Sequence, residues 1–341
     1  MIAQSRLLNF PGMTNLYSSP NHAIQDHATR KDRNPILDSK LEQESPRSAI
    51  LTMVMYFDVF RHPLTVPELV RLIRPGDPKT IQDALDRLVQ CGILECQDTF
   101  VFRKGMSEIV LRRRVRARSA ESIWPKARRA AQWLYRIPQV RGLMVTGSLS
   151  KNSTQSKDDI DFMVLVEPGQ VWTLKTLLQG MRRAMPEGIR ECFCTNYLLD
   201  ISHPRIDDQN LFTAIELATA MPMAGRTAIL EFLEANHHWV HQFVPGFDWS
   251  IERAQRLSPD PMSGIRFPTS VWLERKAMSL WSHYWDRKYN WLDPETRNQR
   301  FKRRPEVATN HLHDFQDFVQ AEVERRLQPL GLNLRTLTAE D

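Results

Sequence analysis

The chain lacks any apolar run long enough to cross a lipid bilayer. No stretch in its 341 residues reaches the roughly 18 consecutive apolar residues that a membrane span needs. The first residues, Met1 to Arg6, also do not begin an apolar core of the length found in secretion signals. These absences lead us to expect a cytoplasmic protein without a membrane partner.

Cysteine is also scarce, with four residues in the whole chain. No two of them form a Cys-x-x-Cys pair, and none stands with paired histidines at the spacing of a zinc site. The sequence therefore gives no indication of zinc. Cys192 and Cys194 alternate along a predicted strand, and we interpret both as core residues.

The overall composition is that of an ordinary globular protein, with 42% hydrophobic and 25% charged residues. The formal net charge is +6 and the isoelectric point is near 9.2. A basic balance favours phosphate-rich partners without identifying one. The length of 341 residues allows two or three domains.

The most informative stretch joins a glycine turn to a pair of aspartates. Thr146-Gly147-Ser148 follows the apolar run Leu143-Met144-Val145, and Asp159-Ile160-Asp161 precedes the apolar run 162–166. This order predicts a strand, a tight turn, a short polar segment and a second strand that opens with two carboxylates. Side chains at positions i and i+2 of a strand point to the same face, roughly 6–7 Å apart. Asp159 and Asp161 should therefore point together.

These residue types suit metal-assisted chemistry on a nucleoside triphosphate. Mg²⁺ usually takes one or two protein carboxylates together with phosphate oxygens. Gly147 allows the backbone to approach a bulky anion, and Ser148 offers a hydroxyl and an N–H group at a predicted helix start. The alternative interpretation is a hairpin-like turn followed by a solvated acidic strand start.

The N-terminal part divides into two segments. Residues 1–45 show no sustained periodicity, and we expect them to be disordered. Residues 46–105 predict helices over 49–60, 66–73 and 78–90, followed by a hairpin. Three helices and a hairpin are the pattern of a winged-helix domain.

The third predicted helix is close to neutral. It carries Lys79 and Arg87 but also Asp83 and Asp86. Few positive charges mean little affinity for a DNA backbone. Nucleic acid is therefore a possible but not favoured partner, and use of the domain for protein contacts or as a lid is at least as well supported.

Three further segments complete the expected organisation. Residues 106–137 predict a basic helical linker, interrupted near Pro125, which is either a solvated face or a collector of polyanions. Residues 138–245 predict a catalytic core with a small mixed sheet, and residues 246–341 a helical C-terminal region. We thus expect an α/β (α+β) core between a winged-helix domain and a helical layer.

The glycine turn and the aspartate pair resemble the signature of the nucleotidyltransferase superfamily typified by DNA polymerase beta. The resemblance covers residues 143–166. It implies two metal ions, Mg²⁺ or Mn²⁺, on three carboxylates, and in-line attack of an acceptor hydroxyl on the α-phosphorus. Asp159 and Asp161 match the first two metal ligands, and Gly147 and Ser148 match the phosphate-binding turn.

The third carboxylate that this resemblance implies has no clear match. Glu191, at the beginning of the next predicted strand, is our first candidate for a general base or second-metal ligand, and Asp200, just past its end, is the alternative. Lys157 occupies the spacer where a serine is frequent in the superfamily. We interpret Lys157 as a candidate phosphate contact.

A second resemblance is to a bacterial group that joins a winged-helix N-terminus to such a catalytic core. If it holds, it covers roughly residues 50–330. Three strings of residues carry this resemblance in addition to the turn and the aspartates: Tyr56-Phe57-Asp58-Val59-Phe60-x-x-Pro63-Leu64-Thr65, Thr213-Ala214-x-Glu216-Leu217 and Ala235-Asn236-x-x-Trp239-Val240.

The sequence thus predicts a Mg²⁺-dependent nucleotidyltransferase. Its expected reaction moves a nucleoside monophosphate, AMP from ATP, to an unidentified acceptor hydroxyl. The alternative is a non-catalytic regulator in which a winged helix responds to nucleotide held by the core.

Overall fold

The computed structural model describes residues 46–73, 78–155, 158–184, 194–260, 270–309 and 315–334. The segment predicted to be disordered, 1–45, lies outside them. The described chain is a mixed α/β structure of helices around two sheets. Within this part of the chain, no helix is long and apolar enough to cross a membrane.

The N-terminal unit, residues 46–103, contains the predicted helices and hairpin. A reciprocal cap starts its second helix, because Glu68 N–H donates to Thr65 Oγ1 at 3.3 Å and Thr65 N–H donates to Glu68 Oε2 at 2.8 Å. The strands form an antiparallel sheet in the order β1-β3-β2. The elements are α1 (Pro46–Val59), β1 (Leu64–Thr65), α2 (Val66–Ile73), α3 (Pro78–Gln90), β2 (Leu94–Gln97) and β3 (Phe100–Arg103).

Helix α4 (Glu108–Leu134) follows and runs through Pro125 without a break, so the predicted interruption was wrong. Proline removes one hydrogen bond to the carbonyl four residues earlier, here that of Glu121. Pro125 and Glu121 are both exposed, so water can satisfy this carbonyl. The opposite face of the helix is held by buried alanines, among them Ala120 and Ala127.

The larger sheet carries the predicted turn and aspartates. Six described strands form it in the order β7-β4-β5-β6-β9-β8, and only β5 and β6 pair in parallel. Its strands are β4 (Val140–Val145), β5 (Asp161–Val166), β6 (Cys194–Asp200), β7 (Met221–Ala224), β8 (Arg303–Arg304) and β9 (Val307–Thr309).

Helices pack around this sheet, and most lie where periodicity placed them. Apolar residues at helical spacing predict a helix over 311–327, and the structure, which describes this segment from residue 315, shows a helix from Gln316. The helices are α5 (Gly147–Ser150), α6 (Val171–Ala184), α7 (Leu211–Thr219), α8 (Arg226–Phe243), α9 (Asp248–Gln255), α10 (Val271–Lys288), α11 (Pro294–Arg300) and α12 (Gln316–Leu327).

Four strands were not predicted from the sequence, among them the two-residue β1 of the N-terminal unit. The C-terminal region was predicted to be helical, but it supplies β8 and β9, which are too short to show an alternating pattern. Strand β7 contains Pro222, which argues against a central strand, and β7 indeed lies at the edge of the sheet.

Ion pairs with buried members fix the N-terminal unit to the rest of the chain. Asp58, with a side chain 2% exposed, accepts from Arg103 Nε at 3.0 Å and from Arg326 Nε of α12 at 2.8 Å. Arg113, 4% exposed, donates to Glu68 at 2.8 Å and to the Asn152 carbonyl at 2.6 Å. The N-terminal unit is therefore packed as part of the core and is tied to the loop that follows the glycine turn.

Removal of Asp58 should show how much this attachment contributes to stability. In Asp58→Ala, two guanidinium groups lose a buried counter-ion, and we expect the free energy of unfolding to fall by about 3 kcal/mol. Urea denaturation measures this change. Arg325→Ala is the control, because its ion pair with Glu322 is 68% exposed on the arginine side and should contribute less than about 1 kcal/mol. Equal effects in the two variants would contradict the structural role of Asp58.

Candidate active site

The glycine turn lies directly against the second aspartate. Strand β4 ends at Val145, and Gly147 then adopts a left-handed φ of +67°. A Cβ atom added at Gly147 would lie 2.4 Å from Asp161 Oδ2. Two features therefore favour glycine at this position: the left-handed backbone conformation and the contact with Asp161.

Asp161 begins strand β5 and lines a cavity. Its backbone carbonyl accepts from Thr146 N–H at 2.9 Å, and its Oδ1 accepts from Asn196 Nδ2 at 2.6 Å. Burial raises the pKa of Asp161 to about 7, helped by the negative charges of Asp159 and Glu216 and opposed by Lys151. Concentrated negative charge at this carboxylate is an environment that favours a bound cation.

Asp159 lies just before the strand, which begins only at Asp161, so the predicted strand start was two residues too early. The Asp159 carboxylate is 4.0 Å from the guanidinium of Arg182, at the end of α6. Its charge nevertheless raises the pKa of Asp161. The charge of Asp159 thus acts on Asp161, but the two residues do not share a strand, and their predicted common strand face is not seen.

The structure gives different outcomes for Glu191 and Asp200, the two candidates for a third carboxylate. Glu191, our first candidate, lies outside the described residues, as does the candidate phosphate contact Lys157. Asp200 does not belong to the site, because β5 pairs with β6 so that Asp161 faces Cys194 and Val166 faces Asp200. The carboxylates of Asp161 and Asp200 therefore lie at opposite ends of the paired strands, roughly 16 Å apart.

Asp200 has a structural role at its end of the sheet. Its carboxylate accepts from Gly169 N–H at 2.7 Å and from Ser202 N–H at 2.8 Å, and the residue is 4% exposed. These bonds hold the turns after β5 and β6 together. The alternative assignment of Asp200 to the catalytic machinery was therefore wrong.

Sequence reasoning missed three polar residues that the fold brings to the turn. Glu216 of α7 accepts from Lys151 Nζ at 2.8 Å and lies 3.4 Å from the Gly147 nitrogen. Lys151 also donates to the Gly147 carbonyl at 3.2 Å. The string around Glu216 was noted only for its resemblance, and Asn196 had no signal because it occupies a bulge between β5 and β6.

Cationic and neutral basic groups line the side of the cavity formed by α4. Arg116 is 7% exposed, and burial followed by repulsion from Arg112 lowers its pKa. Within the described part of the chain, no carboxylate forms an ion pair with Arg116. Attraction to Asp158 opposes this lowering of the pKa of Arg116, and the buried guanidinium is a candidate contact for an anionic ligand.

His62 lies in the same environment, at the end of the turn after α1. Burial lowers the pKa of His62 well below 6.5, and the nearby charges of Arg113, Lys151 and Arg116 lower it further. The imidazole is therefore neutral at pH 7. It can accept a hydrogen bond without adding to the positive charge.

These groups line a cavity of about 420 Å³. Its lining includes Gly147, Ser148, Asp161 and Arg116, together with phenylalanines from three separate segments. Volumes of this order accommodate a small-molecule ligand. Asp159 is not among the residues lining this cavity.

A magnesium ion at this site would need ligands from a substrate in addition to protein carboxylates. Among the residues that the structure describes, no group of three or more His, Cys, Asp or Glu side chains could hold a metal ion by itself. Mg²⁺ rarely needs such a cage, because substrate phosphates supply further ligands. Asp161, whose pKa is raised to about 7, and the nearby Asp159 are the described carboxylates that could serve as such ligands.

Comparisons of the chain with models of protein families, with curated proteins and with solved structures found no match.

Substitution of Gly147 should disrupt the site with little global damage. Gly147→Ala places a methyl group against Asp161 and imposes a left-handed conformation that costs about 1–2 kcal/mol. We expect loss of binding to a non-hydrolysable ATP analogue, measured by calorimetry with Mg²⁺. Gly180→Ala is the matched control, since an added Cβ there meets nothing within 4 Å and should leave binding unchanged. Wild-type affinity in Gly147→Ala would show that the turn is only structural.

The buried imidazole predicts a specific pH dependence of stability. Because folding lowers the pKa of His62, its contribution to stability is present above pH 6.5 and is lost as the pH falls below that value. His62→Gln should therefore show a shallower loss of stability on acidification than the wild type. Thermal unfolding between pH 5 and 8 measures the difference, and parallel curves would contradict a buried neutral His62.

Proposed function

We propose that the protein is a nucleotidyltransferase that uses Mg²⁺ or Mn²⁺ and moves AMP from ATP to an acceptor hydroxyl. The observation that carries this proposal is the contact between the left-handed Gly147 and the Asp161 carboxylate, where an added Cβ would lie 2.4 Å from Oδ2. That contact places a turn open to an anion beside a carboxylate suited to a cation.

Different residues of the site would bind different parts of the substrate. The Gly147 turn and the Ser148 hydroxyl would hold the triphosphate, with Lys157 as a further proposed contact. Arg116 and Lys151 would offset the negative charge of the phosphates. Asp159 and Asp161 would hold the metal ion, which when bound supplies charge neutralisation at the reacting phosphate.

The chemistry follows from this placement. The acceptor oxygen forms a bond to the α-phosphorus while the bond to the leaving pyrophosphate breaks, and the hydroxyl proton passes to a carboxylate. Glu191 remains the proposed proton acceptor. Glu216 is already paired with Lys151, so we assign it the positioning of the turn and not proton transfer.

In this proposal the N-terminal unit is a winged-helix domain that forms part of the site, and residues 138–245 are the catalytic core. Support comes from Phe57, Phe60 and His62 of the N-terminal unit, which line the same cavity as Asp161. A domain in that position is better placed to line the cavity than to bind DNA.

The proposal is tested by a transfer assay with isotope-labelled ATP, Mg²⁺ and the small-molecule fraction of a cell extract. Mass spectrometry should detect AMP attached to an acceptor. Asp161→Asn and Asp159→Asn should each lower this transfer by about 100-fold or more, because a charged metal ligand is lost. Asp83→Asn, an exposed position on α3, is the control.

Two outcomes would count against the proposal. Unchanged transfer in both variants would remove the aspartates from the reaction. Nucleotide binding without transfer in any fraction would favour the alternative, a non-catalytic regulator that senses nucleotide.

A further inference from the structure

Three partly buried phenylalanines line the cavity beyond the glycine turn. Phe60 follows α1, Phe212 lies in the first turn of α7, and Phe315 immediately precedes α12. We call this set the aromatic wall. Aromatic side chains that remain partly exposed toward a cavity offer faces for stacking on a planar ring.

The aromatic wall begins close to the turn. Phe212 and Glu216 are about one helical turn apart on α7, about 6 Å along the axis, and both line the cavity. Glu216 lies 3.4 Å from the Gly147 nitrogen. A ligand that places a phosphate at Gly147 would therefore reach the aromatic wall with its next bulky group.

The wall is fixed by bonds between the segments that form it. Asp58, two residues before Phe60, accepts from Arg326 of α12 at 2.8 Å. At the start of α7, Asn210 Nδ2 donates to Gln316 Oε1 at 2.7 Å, next to Phe315. Phe60 also packs on Tyr56, with ring centroids 5.4 Å apart. A ring that enters this space meets surfaces that are already ordered.

We propose that the nucleobase stacks on the aromatic wall, so that the N-terminal unit forms part of the nucleotide site. This inference rests on the proposed function. In a nucleotide the sugar separates the base from the α-phosphate, which places the base beyond the turn and toward Phe60 and Phe212. Bases of every type present a π-face, and stacking on an aromatic side chain is a strong contribution to binding.

The test compares two ligands that share their phosphates. Calorimetric titration in the presence of Mg²⁺ uses α,β-methylene-ATP and inorganic tripolyphosphate, which lacks the base and sugar. The wild type should bind the nucleotide more tightly than tripolyphosphate. Phe60→Ala and Phe212→Ala should each weaken nucleotide binding by roughly 10-fold or more and leave tripolyphosphate binding unchanged.

Two further variants separate stacking from folding. Phe60→Trp keeps an aromatic face and should retain nucleotide affinity. Phe318→Ala is the matched control, since Phe318 lies on α12, is 36% exposed and does not line the cavity. The tripolyphosphate titration of each variant shows whether its phosphate site is intact.

The outcomes distinguish this inference from the proposed function. Equal wild-type affinity for the two ligands, or nucleotide affinity that is the same in Phe60→Ala, Phe212→Ala and wild type, would overturn the stacking and assign the aromatic wall to the acceptor. Failure of the wild type to bind either ligand would overturn the proposed function itself.

Discussion

The site depends on one steric constraint, the approach of the Asp161 carboxylate to the Cα atom of Gly147. Antiparallel pairing of β4 and β5 places Val145 opposite Phe162, which brings the end of β4 close to the start of β5. Only a residue without a Cβ permits both the left-handed turn and the inward carboxylate. Burial, together with the charges of Asp159 and Glu216, raises the pKa of the Asp161 carboxylate that lies against this turn.

A second constraint is electrostatic and connects distant parts of the chain. Arg113 of α4 contacts both Glu68 of the N-terminal unit and the Asn152 carbonyl in the loop after the turn. Because a buried guanidinium needs partners on several sides, it fixes the relative positions of the segments that supply them. The same helix presents Arg116 to the cavity. The basic run of α4 therefore contains both a structural arginine, Arg113, and a candidate binding arginine, Arg116. The charge pattern of the sequence alone does not distinguish these two roles.

The elements with strong periodicity were predictable, and so was the turn with its aspartates. Helices α1 and α3 lie close to their predicted ranges because apolar side chains recur at helical spacing over several turns. Positions set by tertiary contact were not predictable. Asn196 reaches Asp161 from a bulge, and Glu216 reaches Gly147 from a helix about 70 residues away in sequence. The misplacement of Asp200 has the same cause, because strand register decides which end of the sheet a carboxylate occupies.

The position of the N-terminal unit limits which ligands can enter the cavity. Phe60 and His62 line one side of the cavity, Asp161 and Asn196 another, and Phe315 a third, within a space of about 420 Å³. A winged helix that reads DNA must present a free and positively charged helix, whereas α3 is nearly neutral and α1 is buried along most of its length. The burial of α1 and the near-neutral charge of α3 both disfavour contact with DNA, whereas residues of the N-terminal unit form part of the cavity lining.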